Sequence, residues 1–166
     1  MWGGKLTRFI KRISINAKPS DVFAAWNTQK GLEKWFLRSA EFMRPDGKKR
    51  ASNEPIQEGD KYHWLWHGYG DDVHESRTVV ASNGVDSLSF IFTGECLVTV
   101  NVKTEQGETI CELVQDRIPS NNDLSDHLYV LCGEGWTFYL TNLKSILEGG
   151  IDLRNKNLQL TKLVNA

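Results

Sequence analysis

The chain has 166 residues, with 20 Lys and Arg against 21 Asp and Glu and a formal net charge of −1. That length suits one domain of the usual ~150 residues, able to bury roughly 70% of its unfolded surface without a metal or disulfide staple. The near balance of charge excludes a sequence-wide basic field for nucleic acid, and a composition 40% hydrophobic and 25% charged excludes wholesale disorder. Six Trp, seven Phe and four Tyr are the one anomaly. No apolar run reaches the ~18 residues of a membrane span, and the basic start MWGGKLTRFIKRI has neither the apolar segment nor the cleavage site of a signal peptide. The cysteines, Cys96, Cys111 and Cys132, are widely spaced and odd in number, which fits reduced thiols in a cytoplasm. A CxxC pair is lacking, so a structural zinc site is not expected.

Residues 5–15 read as a strand, Ile13 and Ile15 flanking Ser14 with period two. Pro19-Ser20-Asp21 is a helix start, and Val22, Phe23 and Trp26, then Leu32, Trp35 and Phe36 beyond Gly31, predict two short helices or one broken helix over 19–35. Phe36 to Met43 is the next strand. The run 44–60, rich in Pro, Gly and charge, predicts a long exposed loop, in which Arg44 and Lys48-Lys49-Arg50 form a solvated basic patch. Lys61 to His67 alternates strictly, with Tyr62, Trp64 and Trp66 on one face. Strands follow over Val73–Ser82, Ser87–Thr93, around Val98, Val100 and Val102, and over Thr109–Arg117, joined by short turns as in an antiparallel meander. Ile118 to Asp123 breaks the last strand and offers helix caps. From Leu124 to Gly149-Gly150 the apolar period becomes helical, over about 25 residues or roughly 37 Å. Residues 151–166 form a tail that adds a short ordered segment or frays.

This order predicts a single α+β domain over 1–166 with its core at about 5–150. An antiparallel sheet must curve around the long C-terminal helix, and a gap between them would be a pocket. The strand-helix opening with Trp26 and Glu33-Lys34-Trp35-Phe36 resembles the first motif of the SRPBCC superfamily (START-like, birch-pollen-allergen-like). Gly135-Trp136, Leu140, Leu143-Lys144 and Leu147-Glu148 resemble the C-terminal helix signature of its AHSA-type branch, named after the activator of the heat-shock chaperone ATPase. The likeness covers about residues 6–150. It implies the helix-grip fold, a curved antiparallel β-sheet wrapped around a long C-terminal α-helix with a short helix pair after the first strand. It also implies an apolar ligand between helix and sheet, or a role as a chaperone partner. Glu58-Gly59-Asp60 stands where the family has a glycine-rich hairpin, and the 166 residues hold no counterpart of the separate N-terminal domain through which the co-chaperones engage their partner.

With that resemblance, the aromatic strand faces point to a cavity wall, because flat rings bury large areas and accept apolar or planar ligands. The expected lining is Trp35, Tyr62, Trp64, Trp66, Phe90, Phe92, Leu131 and Trp136, with His67 and Tyr69 at the mouth and Gln115 as a polar contact. Gly133 and Gly135 each cost the helix about 1 kcal/mol relative to Ala, to be explained either by close packing on the sheet or by room for a ligand. His63, His67 and His74 lie near Asp71, Asp72 and Glu75, but His63 and His67 on one strand are ~13 Å apart, too far for one metal. His127 and Cys132, about 500° apart on a helix, do not form a nucleophile pair, and buried small apolar residues are the expected state of the cysteines. The sequence therefore predicts a non-catalytic module that binds a small hydrophobic ligand, with no cofactor. The alternatives are a heat-shock chaperone partner and a cyclase-like or hydrolytic enzyme with His67 or His127 as base. Free sheet edges allow a monomer or a homodimer.

Overall fold

A computed structural model describes residues 5–120 and 127–164. Its elements are β1 (Leu6–Ile15), α1 (Pro19–Ala24), α2 (Gln29–Glu33), β2 (Ser39–Met43), β3 (Lys61–Leu65), β4 (His74–Ser82), β5 (Ser87–Phe92), β6 (Cys96–Glu105), β7 (Glu108–Pro119) and α3 (Leu128–Leu147). All seven strands join one antiparallel sheet in the order β1-β7-β6-β5-β4-β3-β2. Five of the six pairings are between strands consecutive in sequence. The sixth returns β1 to the last strand, β7, with Ile13 opposite Cys111 and Ile15 opposite Thr109. The sheet curves around α3, which packs on β1 and β7. This is the α+β helix-grip architecture expected from the sequence.

The period-two alternation decides which face turns inward. Val98, Val100 and Val102 of β6, Cys111, Leu113 and Gln115 of β7, and Tyr62 and Trp64 of β3 are all buried on the concave face. Trp136, Tyr139, Leu140 and Leu143 of α3 meet them. α1 starts with Pro at its first turn and Asp21 near its positive end, as the sequence suggested. α2 is a separate helix, capped by Thr28, whose hydroxyl accepts the Gly31 N–H at 2.9 Å. α3 ends in a Schellman motif. Gly149 takes φ of 83°, its N–H bonds to Ile146 O, and the Gly150 N–H bonds to Ser145 O at 2.7 Å.

Four expectations are corrected. Strand β2 begins at Ser39, because residues 34–37 turn off the end of α2, where the Phe36 and Leu37 N–H groups both bond to Leu32 O. β3 ends at Leu65, so Trp66 and His67 lie beyond the sheet. β7 runs through Ile118 to Pro119, paired with Leu6 and Thr7 of β1. Pro119 is tolerated there at a strand end, where a missing donor costs least. The run 44–60 is not a free loop. Ile56 is buried, the Ile56 N–H donates to Asn27 O, and the Lys30 N–H donates to Ser52 O. Arg50, far from being solvated, forms a buried pair with Asp60, which also accepts the Gln57 N–H at 3.0 Å. The predicted helix start at Leu124 and the capping residues 121–123 lie outside the described residues. α3 is described from Leu128, with His127 Nδ1 accepting the Tyr129 N–H at 3.1 Å.

The tail does not fray at its beginning. Asn142, fully buried in α3, donates to Trp35 O at 2.8 Å and accepts the Leu153 N–H at 2.7 Å. Arg154 then donates to the carbonyls of Glu33, Lys34 and Leu37 at 3.1, 2.8 and 3.1 Å, and pairs with Asp152. The first two carbonyls are free acceptors at the end of α2 and the third belongs to the turn that follows, so the tail straps one end of α3 to the turn before β2.

Candidate functional site

A cavity of about 430 Å³ opens between the first half of α3 and the sheet, within the range of small-molecule sites. α3 supplies Leu131, Cys132, Gly135, Trp136 and Tyr139. The turn before β2 supplies Phe36, the segment after β3 supplies Trp66, Tyr69 and Val73, and the ends of β4 and β5 supply Glu75 and Phe92. The rings form a connected wall, with centroids 5.3 Å apart for Phe92 and Trp136, 5.0 Å for Phe36 and Trp136, 4.9 Å for Phe36 and Tyr139, and 6.0 Å for Phe36 and Trp66. Such tilted and edge-on contacts fix ring orientation, and the wall is therefore preformed.

Of the residues expected in the lining, Trp66, Tyr69, Phe92, Leu131 and Trp136 are brought together there. Trp35, Tyr62, Trp64 and Phe90 are not; they fill the core. Trp35 is turned inward by its Nε1–H bond to Ala25 O at 2.9 Å. Tyr62 stacks on Trp64 at 3.8 Å and donates its hydroxyl to Ile91 O, and burial pushes that hydroxyl far above its ordinary titration range. Trp64 and Trp66 divide the strand face as their bulk requires. The first is packed, and the second, past the end of β3, borders open space. Gln115 lies beneath the wall. Its Oε1 accepts the Trp136 Nε1–H at 2.8 Å, and its buried amide nitrogen has no oxygen or nitrogen acceptor among the described residues. His67 is half-buried outside the lining. Burial, then the charges of Arg154, Lys156 and Arg38, lower its pKa.

The sequence reading missed Phe36, Glu75 and Tyr139. Tyr139 was readable, one turn after Trp136 on the apolar stripe of α3. Glu75 was not, because only the register of β3 on β4, which sets it opposite Trp64, turns it toward the concave face. Gly135 falls on the ligand side of the two explanations for helix glycines. A Cβ there would meet nothing within 4 Å among the described residues, whereas one at Gly133 would lie 3.8 Å from the Lys11 side chain. Thr93 at the cavity rim holds φ of 50°, which β-branched residues rarely adopt.

His63 and His74 lie with ring centroids 5.1 Å apart, and His63 Nδ1 is 2.7 Å from the Ser76 hydroxyl. Among the described residues no group of three potential ligands converges on a metal position. Burial pushes the Cys111 thiol up to about 12 and raises those of Cys96 and Cys132. Thiolate chemistry is thereby disfavoured at all three.

Residues 16–148 match the family described as Activator of Hsp90 ATPase homolog 1-like protein. The chain belongs to that family. No curated protein sequence matches it. Among solved structures, a protein of Staphylococcus saprophyticus, SSP2350, is similar at a TM-score of 0.67 and 17% identity, over 89% of this chain and 96% of that one. The Aha1 dimer of Colwellia psychrerythraea aligns at 0.64 and 16% identity, over 87% and 98% of the two chains. BH1534 of Bacillus halodurans aligns at 0.63 and 20%, over 87% and 99%. At these identities the likeness is one of fold, and it supports the helix-grip architecture. Among the described residues no helix is long and apolar enough to cross a membrane.

Proposed function

We propose that this chain is a binding module that holds a small hydrophobic or aromatic ligand between α3 and the sheet, without transforming it. The observation that carries the reading is the cavity itself, a preformed aromatic wall facing open space at Gly135. A non-catalytic role is supported by the use of its candidate bases. His127 caps α3 with its Nδ1, and His67 stands outside the lining beside cationic side chains. The test is native mass spectrometry of the protein purified from its own host, followed by a thermal-shift panel of apolar compounds. A stoichiometric adduct, or a saturable stabilisation that Trp66→Ala weakens more than it lowers stability, is expected. A clean mass with no shift from any compound overturns the reading.

The family description suggests a second reading, in which the chain interacts with a heat-shock chaperone. Tyr129, Val130 and Leu131, large apolar residues exposed at the start of α3, support it as a contact surface. Enrichment of the chaperone with the tagged protein from native lysate, lost in Val130→Glu, is the expected outcome. Absence of enrichment removes it.

A further inference from the structure

We infer that the ligand of this cavity is an organic cation, an aromatic or aliphatic amine or quaternary ammonium; this rests on the cavity being a ligand site, as proposed above. The wall is not purely apolar. Glu75 lies in the lining with its side chain 18% exposed. Its inward orientation follows from the register opposite Trp64, and its charge acts on Tyr62, Cys96 and Cys132, all groups of the concave side.

A wholly apolar ligand seated here would strip the remaining water from that carboxylate and offer nothing in exchange, which is costly. A carboxylate ligand would add like-charge repulsion, and among the described residues no Lys or Arg lines the cavity to offset it, the exposed His74 being the lining's imidazole. A cation meets Glu75 directly and meets the negative faces of the surrounding rings, Trp66, Phe92 and Trp136 among them. Aromatic faces with a nearby carboxylate are the arrangement that holds ammonium groups in a dry site. The protein supplies its own weak competitor. Arg77 Nε lies 3.5 Å from Glu75 Oε2, with its side chain 43% exposed. At that length and exposure the pair is loose, and an incoming ammonium can displace the guanidinium into solvent.

The test compares three benzyl probes: benzyltrimethylammonium, its uncharged carbon isostere neopentylbenzene, and the anion phenylacetate. Binding is followed by the fluorescence of the cavity tryptophans Trp66 and Trp136. The cation is expected to bind about tenfold more tightly than neopentylbenzene, with phenylacetate the weakest. Glu75→Gln abolishes the preference and leaves neopentylbenzene within about twofold. Arg77→Gln, at an exposed side chain with no risk to the fold, raises affinity for the cation several-fold and leaves neopentylbenzene unchanged. Equal affinity of cation and isostere in the parent, or a preference that survives Glu75→Gln, overturns this inference and leaves the apolar-cavity reading standing. Failure of all three probes to bind at their solubility limits removes both.

Discussion

Gly135 is the position at which fold stability and ligand space are set against each other. A glycine in a helix interior costs about 0.8–1.0 kcal/mol relative to alanine, through backbone freedom in the unfolded chain. At Gly135 close packing does not offset that cost, because an added Cβ would have no neighbour within 4 Å among the described residues. Gly135→Ala should therefore stabilise the protein by about 1 kcal/mol, which in a chain of this size raises Tm by about 2–4 °C. The same methyl projects into the cavity and should weaken ligand binding, and Gly135→Leu should abolish it. Gly133→Ala is the internal control. Its Cβ would be in ordinary contact with the Lys11 stem at 3.8 Å, away from the cavity lining, so it should stabilise comparably and leave binding untouched. Gly31→Ala is the opposite control. It would drive Cβ to 2.4 Å from the Ala24 carbonyl oxygen and should destabilise. Differential scanning calorimetry on the three alanine variants, with probe titrations on these and on Gly135→Leu, reads all of this. A Gly135→Ala protein no more stable than the parent would refute the open-space argument. Unchanged binding in Gly135→Leu would refute the cavity as the site.

The buried pair Arg50–Asp60 should be worth far more than the surface pairs, so Arg50→Met, which strands the Asp60 carboxylate, should cost about 3–5 kcal/mol in urea unfolding, and Arg50→Met/Asp60→Leu should recover most of it. A single variant as stable as the parent would show that water reaches Asp60. Burial opposes ionisation of Asp152, but the hydrogen bonds and charge of Arg154, with Asn142, outweigh it and hold the carboxyl below the ordinary range. A depressed folded pKa means that this stabilisation is complete above the unfolded value of about 3.9 and is lost as pH falls below it toward the folded one. Asp152→Asn should therefore flatten the fall of Tm between about pH 5 and pH 2, and an unchanged acid limb would contradict the assignment. With their thiols raised by burial, Cys96 and Cys111 should resist iodoacetamide in the native protein at pH 8. Half-buried Cys132 should react slowly, and more slowly still with a ligand bound, as read by peptide mass spectrometry. Rapid labelling of Cys111 would mean that the sheet opens locally.

What could be read from the chain alone was what local periodicity determines. The alternation of β3 to β7 and the stripe on α3 fixed the inward faces, and the turn glycines separated the elements, because each signal lies within a few residues of its consequence. The site was legible only in part. Trp66 and Trp64 carry the same alternation, yet one borders the cavity and the other is core. The difference is that β3 stops at Leu65, which depends on pairing with β2 and β4. The run 44–60 read as solvent-exposed from its charges, and Arg50 and Asp60 are among the most buried charges in the molecule. Their compensation is pairwise across ten residues and leaves no trace in composition. Arg154 likewise became structural only through three carbonyls more than a hundred residues away.

These particulars place rigidity and vacancy at opposite ends of α3. At the C-terminal end, Asn142, Asp152 and Arg154 tie helix, tail and the turn after α2 together through hydrogen bonds to buried backbone groups. Leu140 and Leu143 close the packing there. At the other end the helix carries Cys132 and Gly135, two small residues on the cavity side, and the facing chain has already left β3 and runs as the turn 66–73. Trp136 is the junction. Its ring lies against Phe36 on the packed side and Phe92 on the open side, and its Nε1–H is fixed by Gln115. A ligand seated against Trp136 therefore meets a wall whose orientation is set by the rigid half of the molecule. Little conformational entropy remains to be lost on binding. It follows that loosening the far end, as in Arg154→Met, should lower affinity at a cavity whose lining does not include Arg154. Equal affinity in that variant would mean that the aromatic wall holds its shape without the strap.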